Sequence, residues 1–335
     1  MVADFRMADP KHRLQIAPTA WPPPPDVPMK ADGRRPTVRT HFNPAFWTAL
    51  WNLDYFNGDR RRPARKQKVE VLDVRSGKMY RAPTETVHAE DGLGLALIEA
   101  EDMVNRAEAS LPDGEERDRV VSELREFGDI QLDIENLYEV MEQSDAYQET
   151  LRAIREGRVT SLVQKTNIAI FVASRRYRHP VTLAMMLREA EAKQLKRWEA
   201  LLEIKKLFEC SDWLKAQIWP LVISRWTLHV APKHAFPLPD YAALMNGSRS
   251  RVWAALSPRM LLEIALDMPS SGIGTIREFD PVRDEAILKN YRRLAIEQAT
   301  TQIIFSDRPT LAEWRETFDF RQRLRELQRT CAALP

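Results

Sequence analysis

The apolar positions of this chain change period repeatedly, and each change marks a new kind of element. From His41, the segment HFNPAFWTALWNLDYF places Phe42, Phe46, Trp47, Leu50, Trp51 and Leu53 in a short amphipathic, aromatic stretch. VEVLDVRSGKMYRA then alternates apolar and polar residues on both sides of Ser76-Gly77, the pattern of a β-hairpin with a tight turn. From Leu93 the spacing becomes helical up to Leu111, where Pro112-Asp113-Gly114 breaks it. Two or three charged helices follow through Arg155 and are closed by Gly157.

Thr160 to His179 is the stretch around which the chain is organised. Leu162 to Ala173 is dense in apolar residues; the segment then turns basic at Arg175, Arg176 and Arg178, and Pro180 ends it. A helix apolar over most of its surface belongs inside a domain, so Lys165 and Asn167 must reach the surface or find partners. The arginines either complement the helix C-terminus or form the basic wall of a pocket. Val181 to Phe208 reads as one further helix, and Trp213 to Trp219 as another that stops at Pro220.

Beyond that point the runs shorten. LVISRWTLHV, HAFPLPDYAAL, SRVWAALSP and RMLLEIALD are strand-like, and PSSGIGT is a turn-forming loop. Asp280-Pro281 is expected to open a helix, TQIIFS is a short strand, and Thr310 with Glu313 forms a capping box for the last helix. Strand groups separated by helices define an α+β fold: a largely helical middle segment at about 93–219 and a mostly antiparallel sheet built from the N-terminal hairpin and strands between about 221 and 306. Residues 1–38, with a run of four prolines at 22–25, are expected to form a disordered proline-rich arm, leaving residues 39–330 as a single α+β domain.

Composition adds limits. The 335 residues carry 50 Lys+Arg against 48 Asp+Glu, a net charge of +2, so no overall field draws the chain to nucleic acid or membrane. Cys210 and Cys331 are too few for a disulfide framework, no apolar run is long enough for a membrane span, and the first thirty residues hold no secretory signal. The composition is that of a bacterial-style cytoplasmic protein. The basic run between Arg60 and Lys68 lacks interleaved aromatics, and an exposed loop is the expectation there. Trp198, Trp213, Trp219 and Trp226 are assigned to the core, and His229 and His234, at a strand end, to the surface.

Several stretches, in order, resemble a bacterial family known as domain of unknown function 4238. The resemblance rests on His41, Phe42, Pro44 and Phe46; on Asp73, Gly77 and Lys78 in the hairpin; on Arg178-His179-Pro180; on Trp226, Asp240 and Leu256-Ser257-Pro258-Arg259; and on Asn290 and Ser306. It covers roughly residues 39–307. The family usually carries Ser-Asp-Asn-Pro at the turn where this chain has Pro239-Asp240-Tyr241, so the Asp remains and its polar neighbours do not. The resemblance implies positions and no reaction.

Those positions give a candidate catalytic set of His41, Arg178, Asp240 and Asn290, with Arg175, Arg176 and Ser257 as anion-binding candidates. A histidine poised by a carboxylate can act as a general base, an arginine can clamp a phosphate or carboxylate, and an asparagine can orient a carbonyl or water. Together they suit an active or degenerate enzyme acting on a nucleotide, nucleic acid or other anionic substrate. The same residues also have a structural reading, as caps and a buried ion pair. The alternative function is a non-catalytic protein-interaction or nucleic-acid-binding module using the basic loop 60–68. Neither a cofactor, a metal site nor a protein partner is identified by the sequence.

Overall fold

The computed structural model describes residues 39–91, 94–133, 145–156, 161–209, 211–272 and 274–332. The proline-rich segment 1–38 and Cys210 lie outside the described residues. The order is β1 (Arg39–His41), α1 (Ala45–Thr48), α2 (Leu53–Phe56), β2 (Lys68–Asp73), β3 (Met79–Pro83), β4 (Ala89–Asp91), β5 (Leu95–Ile98), α3 (Ala100–Ser110), α4 (Glu115–Phe127) and β6 (Ile130–Asp133). The helical stretch follows: α5 (Asp145–Arg155), α6 (Leu162–Arg178), α7 (Pro180–Ala192), α8 (Arg197–Glu209) and α9 (Ser211–Val222). The chain continues with β7 (Ser224–Val230), β8 (Leu238–Pro239), β9 (Leu244–Met245), β10 (Arg251–Ser257), β11 (Met260–Pro269), β12 (Thr275–Glu278), α10 (Glu285–Gln298), β13 (Gln302–Phe305), α11 (Arg308–Arg315) and α12 (Phe318–Ala332).

The fold is α+β, but its strands form two main sheets rather than one. One has the order β3-β2-β13-β8 and the other β12-β7-β11-β10-β9. All neighbours pair antiparallel except β12 with β7. In the first sheet the late strand β13 lies between the early strand β2 and β8, so segments far apart in sequence meet there. The hairpin forms as its sequence predicts. Gly77 turns it at φ +68°, with Asp73 Oδ1 accepting from the Arg75 and Ser76 amides.

Several boundaries differ from the sequence reading. Leu95–Ile98 is a strand paired with Ile130–Asp133, because a short apolar run does not distinguish helix from strand by period alone. The long helix expected over 181–208 is two helices: Gln194 takes φ +60° and the Leu195 amide closes back on the Ala190 carbonyl. Asp280 accepts from the Val282 and Arg283 amides in a turn, and α10 begins only at Glu285. Asp307, not Thr310, caps α11, and Thr317 ends it by donating to the Trp314 carbonyl, splitting the final helix. Pro220 lies inside α9, two residues before its end.

Helix α6 is buried along most of its length. Phe171 meets Trp47 edge-to-face at 4.4 Å, within a core shared by both sheets. Lys165 finds partners, donating to the Ser224 and Gly272 carbonyls, and Asn167 donates to Thr150. A second hydrophobic cluster, which includes Trp198, joins β5 to α7 and α8. Trp226 is also core, whereas Trp219 is 60% exposed and leaves the assignment made for it. The side chain of Trp213 lies outside the described residues.

Candidate functional site

The register of β13 with β8 builds the polar centre. Ile303 lies opposite Pro239, so the next residue, Asp240, faces the chain just before β13. Its carboxylate accepts from the Thr300 and Thr301 amides, from both threonine hydroxyls, and from the Tyr241 amide, at 2.7–3.1 Å. A carboxylate has about four lone-pair sites, and these five donors fill them. The side chain has no solvent exposure. Burial alone would raise this carboxyl; the imidazoles of His179 and His88 and the Thr300 hydroxyl outweigh it and hold Asp240 well below the ordinary carboxylate range.

His179, not Arg178, is the residue that α6 delivers to Asp240. Its Nδ1 accepts from the Val181 amide, which leaves the proton on Nε2, 3.9 Å from Asp240 Oδ2 and 3.4 Å from Thr300 Oγ1. The ring also meets Phe42 and Tyr241 edge-on. On the opposite side, Asn43 donates to the Pro239 and Asp240 carbonyls and lies 2.9 Å from His88 Nδ1. His88 Nε2 faces the Gln302 carbonyl at 3.3 Å, so the proton sits there and Nδ1 accepts from Asn43. Burial pushes the His88 imidazole down to about 4, against the raising influence of Asp240. The backbone of His88 is left-handed at φ +50° and is held from both sides: its amide donates to Gln302 Oε1 and its carbonyl accepts from the Phe42 amide.

The sequence-derived set divides as follows. Asp240 is at the centre. His41 is near enough to His88 to help lower its imidazole, while its own Nε2 bonds to the Glu85 carbonyl; Arg178 is buried as the chain neighbour of His179. Arg175 is buried too, donating to the Phe42 carbonyl at 3.1 Å and lying over the Phe171 ring, so it ties α6 to the N-terminal segment instead of lining a cleft. Arg176 is half-buried beside it. Ser257 is buried at the end of β10, where its hydroxyl accepts from the Arg259 amide. Asn290 is elsewhere, accepting from Arg293 on α10.

The residues that sequence reasoning missed here are Asn43, His88, Thr300 and Thr301. None of them carries a local pattern that marks it, and Thr300 and Thr301 meet Asp240 only once β13 has paired with β8. His229 was assigned to the surface, yet it is buried and bonded to Glu263 at 3.0 Å. Among the described residues no three His, Cys, Asp or Glu side chains gather as metal ligands, and no helix is long and apolar enough to cross a membrane.

The arrangement defines a class: an α+β protein whose His–Asp centre is closed to solvent and whose Asp240 carboxylate is fully engaged by hydrogen bonds. No family model, curated protein or solved structure matches the chain.

Proposed function

We propose that this chain is a non-catalytic interaction protein, in which the His–Asp centre is a structural clasp. A general base must present a free lone pair to its substrate. His179, the base that Asp240 would poise, has its Nδ1 lone pair taken by the Val181 amide, Asp240 has none free, and both side chains are sealed from solvent, which weighs against the enzyme reading. Kinship with domain of unknown function 4238 belongs to the same proposal. A chain that keeps that turn's Asp while losing its polar neighbours fits a member whose centre has become structural.

The observation that carries the interaction reading is a set of exposed apolar side chains on neighbouring element ends. Lys165, on α6, reaches the Ser224 carbonyl, and Ser270 donates to the Ile223 carbonyl. These ties bring the start of α6, the end of α9 and the end of β11 together, and Leu162 and Val163 of α6, Trp219 of α9, Ile223 just past it and Met268 of β11 are exposed there. All five are at least 37% exposed, and exposed apolar groups held together in this way favour contact with another protein. The fitting partner is a protein surface with apolar side chains of its own.

The basic loop 60–68 supports nucleic-acid binding less well. Arg61 is spent on Asp59, Lys66 on Glu85, and Arg60 lies over the Tyr55 ring. The test is photo-crosslinking in cells with the wild-type chain, Trp219→Glu and Arg62→Glu. A partner lost with Trp219→Glu and retained with Arg62→Glu is the expected result. An identical crosslinked set for all three would overturn the reading.

A further inference from the structure

The second sheet has one edge that the fold leaves open. Its order runs from β12 to β9, so these two strands form its edges. At β9 the Gln298 side chain closes the edge: Oε1 accepts from the Met245 amide and Nε2 donates to the Met245 carbonyl. In the first sheet, edge strands β3 and β8 end in Pro83 and Pro239, and proline cannot donate to a further ladder. β12, Thr275–Glu278, contains neither proline nor lysine, and all of its residues are exposed. Its one cation, Arg277, is turned onto Asp284. An open strand edge is a template for another strand.

The direction of its backbone groups follows from one bond. The Phe279 amide donates to the Val230 carbonyl of β7. Amide and carbonyl groups alternate sides along a strand, so those of Thr275 and Arg277 also face β7, while those of Ile276 and Glu278 point outward. Arg283 donates to the Glu278 carbonyl and occupies that acceptor. The Ile276 amide and carbonyl have no partner among the described residues. Ile276 lies opposite Leu228, so its side chain leaves the sheet on the face that carries the fully buried Leu228, yet it is 48% exposed. Both the backbone and the side chain of Ile276 are therefore left for a neighbour.

We propose that β12 is a self-association edge, on which a second copy of this chain pairs antiparallel through its own β12 about a two-fold axis. A hydrogen-bonded pair across that axis takes its members from Ile276 and Glu278, which leaves three registers. Ile276 opposite the partner's Glu278 sets Arg277 against the partner's Arg277 and calls on the carbonyl that Arg283 holds. Glu278 opposite the partner's Glu278 sets two carboxylates together. Ile276 opposite the partner's Ile276 avoids both, because Thr275 then faces the partner's Arg277. In that register Ile276 exchanges both of its backbone bonds across the axis, and the two exposed isoleucines cover each other. The pairing joins two five-stranded sheets into one. A net charge of +2 gives two copies little mutual repulsion. None of the residues that carry the interaction reading belongs to β12, so failure of this proposal leaves that reading in place.

Sedimentation equilibrium of the full chain over a range of concentrations is expected to show monomer and dimer in exchange. Ile276→Pro removes only an outward amide, so β12 stays paired with β7, and it should weaken the dimer about tenfold, since both bonds across the axis lose their donor. Ile276→Lys, which keeps the amide and sets two ammonium groups across the axis, should weaken it likewise. Trp219→Glu should leave it unchanged. The register is read by disulfide trapping in a chain carrying Cys210→Ser and Cys331→Ser. Ile276→Cys should cross-link to itself on mild oxidation, because hydrogen-bonded partners have Cα atoms about 5.5 Å apart, within reach of a disulfide. Val282→Cys, at a position 87% exposed and outside the strand, should not. A wild-type chain that is monomeric throughout, a dimer that both Ile276 variants leave intact or that Trp219→Glu abolishes, or equal cross-linking of the two cysteine variants would overturn the proposal.

Discussion

His88 shows why single residues resisted assignment from the sequence. It stands among Thr, Val, Ala and Glu with nothing to mark it, yet it is wholly buried in a left-handed backbone and keeps its imidazole low, at about 4. The unfolded chain takes up this proton at pH values below about 6.5, where the folded chain does not. Stability is therefore present above that value and declines as pH falls from about 6.5 to 4. The shift corresponds to about 3 kcal/mol over that window. Asp240 adds to the loss at lower pH, since its depressed carboxyl stabilises the fold above the ordinary Asp range and ceases to do so as pH falls through its folded value. Urea unfolding across this range should show the decline, and His88→Asn, which tolerates the positive φ, should flatten it. A wild-type stability that does not change between pH 6.5 and 4 would refute the assignment. Asp240 itself was legible in the sequence, through the resemblance, whereas its partners were not: Thr300 and Thr301 become donors only once β13 has paired with β8.

At the scale of elements, apolar density located α6 correctly, and the hairpin at Ser76-Gly77 followed from alternation and turn chemistry. Its failures have two causes. Short apolar runs such as Leu95–Ile98 carry too few residues to fix a period, and helix breaks at Gln194 or Thr317 depend on backbone bonds that composition does not encode. Burial also varies along α6. Phe171 is 2% exposed and packed on Trp47, whereas Ile170 is half-buried and Val163 is 64% exposed. Phe171→Ala is expected to cost about 3–5 kcal/mol by cavity formation, and Val163→Ala less than about 0.5 kcal/mol. Chemical denaturation of the two variants checks the contrast, and equal costs would mean that α6 is not seated as described.

Across the whole molecule charge is nearly balanced, and Arg61 and Lys66, two of the six basic residues of the loop, are paired with Asp59 and Glu85. Fluorescence anisotropy with a labelled single-stranded oligonucleotide should show no appreciable binding at about 0.15 M salt. Tight binding that weakens steeply with added salt would restore the nucleic-acid reading. The polar centre also acts at this scale, because Phe42 and Asn43, the end of α6, β8 and the start of β13 all converge on it. Its role as a clasp is tested most directly by the unfolding free energy of Asp240→Asn at neutral pH. Replacing the carboxylate removes a charge that five donors were placed to meet and sets an NH2 against some of them. A loss of about 2–4 kcal/mol, with the melting temperature lower by several degrees, is the predicted result. An Asp240→Asn protein as stable as the wild type would contradict the account and return Asp240 to the list of catalytic candidates.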